Sequence, residues 1–537
     1  MPRLLRLAAV TLVALVVNAA EGLQNIPSSI EQHPQANFVN TTADWPSLRL
    51  NFTIKRRVME VFGQPSFTMF ASPSSSSSNT VILYDAFATF IEDSILFNYT
   101  LMDGVSYITQ SSSNGSLASR RCQTSDMLLP INSIIAAINN ASGISPSKNS
   151  ILCSSGNLFK ASVDGTDFAL CASGSSGFTM HGSDVDIAVE YMNNQEKIKA
   201  PSTNASFTHK CLTTTLSSIV TPIGKALLSG AQTVLNESRK LEAAFGFSEL
   251  FESKCSCRSK PRPCIFIHGL GVSTEEPDNQ DSFPAYWGNV TDHTPCCSTT
   301  KYAHLDTVNN SWTSAMQQQK VCDRALAVSE TSTGSVIADT IVFTHSMGGL
   351  MMSGALANGR CSLASSSTWV SAAAPMRGSM GSDTVQESCL GETNAVLEEV
   401  GDITGRCPAS TGLKSLAYEN GKHSPAALNA AYKSAQEAYR ANVGAVMCSE
   451  GYSGLRSSYQ VEFWLLGGVV VSHKSHKNDG MVEFQSCAGG FPLSKFGNSY
   501  LERFYVSKLN HYDQQFRAGD SLLEKDKMPV KWFECLL

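Results

Sequence analysis

The stretch Ile341-Val342-Phe343-Thr344-His345-Ser346-Met347-Gly348-Gly349-Leu350 carries an apolar, β-rich run into a serine, and two glycines then open a helix. A serine at a sharp strand-to-helix turn stands clear of the sheet, and the next backbone N–H faces a developing oxyanion. The chemistry on offer is nucleophilic attack on a carbonyl carbon. Gly348, two residues after the serine, lets the helix pass the strand without a Cβ clash. The usual spacing is G-x-S-x-G, and Thr344 stands at the first glycine, so a β-branched residue must fit where helix crowds strand. Taken alone, the stretch fits a buried strand and an ordinary helix start equally well.

A serine hydroxyl is a poor nucleophile near neutral pH and needs a base within hydrogen-bond reach. Two later segments supply a base and its orienting acid: Lys477-Asn478-Asp479-Gly480-Met481-Val482 and Leu509-Asn510-His511-Tyr512-Asp513. His511 would take the proton from Ser346 and return it to the leaving alcohol. Asp479 would hold the ring tautomer and stabilise the imidazolium. Asp479 also fits a plain turn former, and His473 and His476 are rival bases. Those two precede Asp479 in a lysine-rich loop read as solvated, whereas His511 follows the aspartate. A fourth segment, His268-Gly269-Leu270-Gly271, comes after the strand Cys264–Ile267. The backbone N–H groups of Leu270 and Met347 would receive the oxyanion, each such donor contributing roughly 3 kcal/mol. His268 and His345 are read as structural or pocket-lining beside Gly269, Gly271, Gly348 and Gly349.

The succession His-Gly-Leu-Gly, serine turn, Pro375-Met376-Arg377-Gly378-Ser379, Asn-Asp-Gly-Met-Val and His-Tyr-Asp resembles the secreted triacylglycerol lipases of bacteria and related esterases over about residues 263–520. Met376 stands where that family has histidine. The resemblance implies an α/β-hydrolase fold, in which the order Ser…Asp…His is the expected one, and hydrolysis of a carboxylic ester, a lipid ester in the first place. It also makes Asp513 similar to a calcium ligand of the family. No partner carboxylate is identifiable, so no cofactor is expected.

These residues need a scaffold. Cys264–Ile267, Ile341–His345, Thr368–Ala373 and Phe463–Val471 read as strands, with a helical run over Thr313–Ser329. Strands alternating with helices point to a parallel sheet, whose ligands bind at the strands' carboxyl ends. Between about 380 and 460 lies an insertion. Ser424-Pro425 reads as a helix start, and Leu428, Tyr432, Ala435, Tyr439 and Val443 share one face of that helix. It either packs on the core or covers the site as a lid.

Residues 25–247 read as a separate, mainly-β domain ending in a helix from Thr221 to Phe247. Asp103-Gly104 and Asp164-Gly165 sit between alternating runs, a strong hairpin signal. Tyr84-Asp85, Asp103-Gly104, Tyr107 and a later cysteine resemble the half-barrels of ependymin and lipoprotein carriers. That implies a curved sheet with an apolar hollow able to hold a lipid; a plain β-sandwich fits the same pattern. Residues 248–262, rich in Lys, Arg and Pro, form a connector to the hydrolase domain, 263–537.

The whole chain sets the compartment. Arg3 and Arg6 before Leu7–Val17, with Ala19-Ala20, read as a secretory signal over 1–20. The 16 cysteines fit disulfides, with Cys296, Cys297, Cys255 and Cys257 bridging outward and Cys122, Cys153, Cys171 and Cys211 pairing among themselves. Sequons stand at Asn40, Asn51, Asn98, Asn114, Asn140, Asn204, Asn236, Asn289 and Asn309. The net charge of −6 without a basic stripe argues against nucleic acid, and no transmembrane segment is expected. The expectation is a secreted glycoprotein and serine ester hydrolase that touches lipid surfaces transiently. A lipid acyltransferase using the same three residues, or a non-catalytic lipid-binding glycoprotein keeping the fold, remain the alternatives.

Overall fold

A computed structural model of the chain describes residues 45–537 except 75–76, 78–80, 93–94, 113–116, 123–129, 145–152, 154–156, 195–196, 202–217, 231–254, 391–406 and 458. The segment 1–20 read as a secretory signal, the helix expected beyond Gly230, Cys211 and the sequons at Asn40, Asn114, Asn204 and Asn236 lie outside the described residues. Two compact units account for the rest: Ser28–Ser253 with Ser521–Lys525, and Lys254–Asp520 with Asp526–Leu537.

The first unit is built on an eleven-stranded antiparallel sheet. Its first strand, Ser47–Ile54, lies mid-sheet between Ser66–Pro73 and Val185–Met192. Alternation sets its faces: Leu48, Leu50, Phe52 and Ile54 are buried, while Arg49 and Thr53 are exposed. Both Asp-Gly turns adopt positive φ at both residues, and pair Met102 with Val105 and Val163 with Thr166. The helix Ile131–Asn139 buries Ile131, Ile134, Ile135 and Ile138, and packs on both Tyr84–Glu92 and Leu158–Val163. Those strands are six places apart in the sheet order, a span of roughly 29 Å if flat at ~4.8 Å per strand. One helix of about 10 Å diameter touches both only because the sheet curves around it. The expected helix from Thr221 is capped by Thr221 and closes at Gly230, whose φ of 71° ends the helical path; its described length is Pro222–Ser229.

The second unit holds a six-stranded parallel sheet in the order Cys297–Tyr302, Arg262–Ile267, Ile341–His345, Thr368–Ala372, Val443–Ser449, Phe504–Ser507. Cys264 to Ile267 and Ile341 to Phe343 are fully buried, as strands covered on both faces must be. The chain moves from Arg262–Ile267 outward to one edge, then back across to the other. The direction therefore reverses between Arg262–Ile267 and Ile341–His345, and the crevice at such a switch point is where open α/β sheets bind ligands.

Two sequence expectations change here, and one open alternative closes. Phe463–Val471 is not a strand: Gln460–Leu465 is helical and Leu466–Val470 continues as a wider turn. An apolar run of this length fits either period, and in the folded chain the bare Gly467 packs closely against the Tyr452 ring. The insertion closes at Asn442, because Val443–Ser449 is a core strand. The helix Ala426–Asn442 is the crossover into that strand rather than a lid. It buries Leu428, Tyr432, Ala435 and Tyr439 in the core beside the helix Met347–Ala357. Its first turn is tied by Asn429, which accepts from the Asn420 N–H and from Ser424 Oγ.

Among the described residues, seven disulfides join Cys153–Cys171, Cys255–Cys535, Cys257–Cys296, Cys264–Cys297, Cys322–Cys361, Cys389–Cys407 and Cys448–Cys487. The adjacent and next-but-one cysteines bridge outward, and Cys153–Cys171 closes within the sheet unit. The described part of the connector is no free linker. Cys255 is bonded to Cys535, and the Arg258 N–H donates to Leu537 O. Among the described residues no helix is long and apolar enough to cross a membrane.

Candidate active site

The strand Ile341–His345 delivers Ser346 at φ 55°, ψ −129°, and the helix Met347–Ala357 starts at once. A non-glycine residue at such a φ is held against local strain by its surroundings. Here the Ser346 N–H donates to Ala372 O on the neighbouring strand and Ser346 O accepts from Gly349 N–H. A Cβ at Gly348 would lie 2.5 Å from Ile267 O, so the helix crosses the next strand by backbone alone. A Cβ at Gly349 would meet Ala374 at 2.5 Å and would sit 3.6 Å from Thr344 Oγ1. The bare Gly349 is thus required by Ala374, and Thr344 is in no more than ordinary contact with that position. Thr344 Oγ1 accepts from Trp369 Nε1–H at 2.9 Å, so its hydroxyl is satisfied in the core.

Ser346, His511 and Asp479 meet. Ser346 Oγ lies 3.0 Å from His511 Nε2, and His511 Nδ1 lies 2.8 Å from Asp479 Oδ2. Asp479 is 1% exposed, against 6% for Ser346 and 7% for His511, so only the reacting end of the chain faces outward. Asp479 Oδ1 accepts the N–H groups of Met481 and Val482, and Oδ2 accepts Gln514 Nε2–H at 2.9 Å besides the imidazole. Four donors thus surround the two carboxylate oxygens and fix the orientation of the side chain. The His511 N–H donates to Asp479 O, fixing the two backbones as well as the side chains. The bonded order of carboxylate, imidazole and hydroxyl is one that can pass a proton from oxygen to nitrogen and keep the resulting cation paired.

The His268–Gly271 loop flanks the serine. A Cβ on Gly269 would fall 2.5 Å from Ser346 Cβ and 3.0 Å from Oγ, so only glycine lets the loop run there. Gly271 turns away with φ 120°. Gly269 O is held by His268 Nδ1–H at 2.8 Å and Thr307 Oγ1–H at 2.9 Å. A planar trans peptide points its N–H opposite its C=O; the Leu270 N–H therefore faces away from His268 and Thr307. Met347, the first helical residue, offers an N–H with no intrahelical acceptor. His268 Nε2 accepts the Leu305 N–H, and burial pushes the ring down to about 4, keeping it neutral.

Several residues take places the sequence did not assign. Tyr286 Oη accepts the Gly269 N–H at 2.7 Å and lies 2.8 Å from His345 Nδ1, while His345 Nε2 lies 3.1 Å from His511 O. Gln514 and Thr307 complete the shell. An aromatic pair, Tyr286-Trp287, in an otherwise polar segment was the visible signal for Tyr286; Gln514, one turn beyond His511, had none. His473, expected in a solvated loop, is buried: its Nδ1 pairs with the buried Glu483 at 2.8 Å. The loop folds back through the Asn478–Glu483 bridge, which carries His473 inward. Ser379 Oγ donates to Met481 O, and Ser486 Oγ to Gly378 O at 2.7 Å, so the Pro375–Ser379 segment latches the turn bearing Asp479. Asp513, the residue similar to a calcium ligand, turns Oδ2 to the N–H groups of Leu455 and Asn510, and among the described residues no three His, Cys, Asp or Glu side chains are grouped to hold a metal.

No family model matches the chain, and no curated protein matches it in sequence. Solved structures similar to it include lipase 1 from Pelosinus fermentans, at 14% identity and a TM-score of 0.29 over 52% of this chain and 98% of that one. EstA from Clostridium botulinum is similar at 12% identity and a TM-score of 0.29, over 51% and 87% of the two chains. Likeness at these scores assigns no function.

Proposed function

We propose that the Lys254–Asp520 unit is an α/β-hydrolase that cleaves carboxylic esters through an acyl-serine intermediate, with lipid esters the favoured substrates. The observation that carries this reading is the continuous chain Ser346 Oγ, His511, Asp479, at 3.0 and 2.8 Å, set on a turn whose backbone presents Oγ at the switch point of a parallel sheet. His511 Nε2 takes the hydroxyl proton as Ser346 Oγ bonds to the ester carbon. The Leu270 and Met347 N–H groups receive the oxyanion. Collapse releases the alcohol, protonated by His511, and leaves the acyl-serine. Water, deprotonated by His511, then frees the acid and restores the hydroxyl. Seven disulfides support an exported protein maturing in an oxidising compartment.

A fluorophosphonate probe tests the reading. It is expected to label Ser346 in the purified protein, to spare Ser346→Ala, and to abolish turnover of a short soluble ester in proportion to labelling. A folded wild-type protein inert to the probe and to esters of short and long chains would return the chain to the lipid-binding reading.

A further inference from the structure

The hydrogen-bonded path behind the serine has a polarity that is forced at every link. His511 O is a carbonyl and only accepts, so His345 Nε2 carries the hydrogen of their 3.1 Å bond. In a neutral imidazole Nδ1 is then an acceptor, and the hydroxyl 2.8 Å away, Tyr286 Oη, must donate to it. Having spent its hydrogen, Tyr286 Oη accepts, and the Gly269 N–H supplies the bond at 2.7 Å. Tyr286 is 8% and His345 0% exposed, so water does not compete with these bonds. The His345 and His511 rings lie 4.7 Å apart.

The path joins the three pieces whose mutual placement sets the reaction: the peptide loop of Gly269 and Leu270, the serine turn, and the backbone of the base. We propose that Tyr286 and His345 are positioning residues, forming a relay from the Gly269 N–H to the His511 carbonyl that holds the oxyanion donor and the general base in register across Ser346. Neither touches the reacting atoms. The relay holds Gly269 by its N–H while His268 and Thr307 hold it by its carbonyl, so both backbone polar groups of the glycine are engaged. A neutral His345 also places no second cation beside His511 when the latter takes its proton, and burial holds His345 well below the usual histidine range, in keeping with this. The inference rests on the ester-hydrolase reading, because it presupposes that an oxyanion and a base must be aligned.

Tyr286→Phe removes one oxygen and leaves the ring packing in place. With a short soluble ester it is expected to lower kcat by about 10- to 100-fold while KM changes less than about threefold, since misplacement of donors acts on the transition state. Fluorophosphonate labelling of Ser346 should slow by a similar factor yet still reach completion. His345→Gln keeps a donor for the His511 carbonyl but is too long to hold the tyrosine link as well, and is expected to match Tyr286→Phe. The double variant should be little worse than either single one, because one path is cut once or twice. Singles within twofold of wild-type kcat, or losses that multiply in the double variant, would overturn the relay while leaving the hydrolase reading standing. Loss of the thermal unfolding transition in both singles would assign the contacts to stability and likewise overturn it. Wild-type protein inert to both ester and probe would remove the hydrolase reading, and the relay with it.

Discussion

At the scale of the residue, the site is a set of groups whose hydrogen bonds leave each other few choices. Because the three central members act as one unit, Ser346→Ala and His511→Ala are each expected to remove nearly all turnover. The double variant should be no worse than a few-fold below either; ester kinetics on the three proteins check this. Asp513 makes a separate prediction. Burial raises its carboxyl to about 7, above the ~3.9 of an unfolded chain. The folded protein therefore holds that proton more tightly than the unfolded one between about pH 4 and 7. Its contribution to stability falls as pH rises through this window and is lost above it. Asp513→Asn abolishes the titration. The Tm of the variant minus that of the wild type should rise by several degrees from pH 4.5 to 7.5, and a flat difference would contradict the assignment.

At the scale of the element, the site is made by close approach. The helix Met347–Ala357 reaches the strand Arg262–Ile267 through Gly348, whose missing Cβ would stand 2.5 Å from Ile267 O and 2.7 Å from His268 O. Both obstacles are backbone and cannot swing aside. Gly348→Ala is expected to cost about 1–3 kcal/mol as overpacking, read as a lowered Tm. It should also lower kcat, since the displaced backbone leads directly into Gly269. A Tm loss with unchanged kcat would mean the loop moves independently of the helix. The Asp479 turn is held the same way, by its own N–H groups, by Ser379 and Ser486, and by Cys448–Cys487, which ties Phe484–Cys487 to the strand Val443–Ser449.

At the scale of the whole molecule, disulfides set the boundaries that packing alone leaves loose. Cys255–Cys535 spans 280 residues of sequence, the longest of the closures described. In the chain-entropy account, closing a loop of this length stabilises by roughly 5 kcal/mol. Cys255→Ala with Cys535→Ala is expected to lower the Tm of the unit bearing the site by several degrees. Ser346 labelling at 25 °C should be unaffected, because neither cysteine reaches the Ser–His–Asp chain. Loss of labelling in a variant that still unfolds cooperatively would show that the connector shapes the site. The exposed sequons Asn140, Asn289 and Asn309 are available to carry glycans, while Asn51 and Asn98 lie half-buried on strands, with Asn51 Oδ1 accepting from Thr68.

What the sequence determined by itself was local chemistry. The meeting of Ser346, Asp479 and His511 was legible because the proposed nucleophile, base and orienting acid would each need a particular residue type in a particular turn. The two Asp-Gly hairpins were legible because few residue pairs tolerate positive φ twice. Three of the six parallel strands, Arg262–Ile267, Ile341–His345 and Thr368–Ala372, announced themselves as short apolar runs, whereas Cys297–Tyr302, Val443–Ser449 and Phe504–Ser507 did not. Tertiary structure decided whatever depends on who sits next to whom. The run Phe463–Val471 satisfied two periods, and it folds as helix with Gly467 against the Tyr452 ring. His473 looked solvated among lysines until Glu483 drew it inward. Gln514, Thr307 and Tyr286 are ordinary polar residues in the chain and acquire their places only where Asp479, Gly269 and His345 meet them. The helix Ala426–Asn442 fitted a core helix in pattern, with a lid as the alternative. Its apolar face settles in the core because the helix Met347–Ala357 lies there to receive it, and one amphipathic face does not encode its partner.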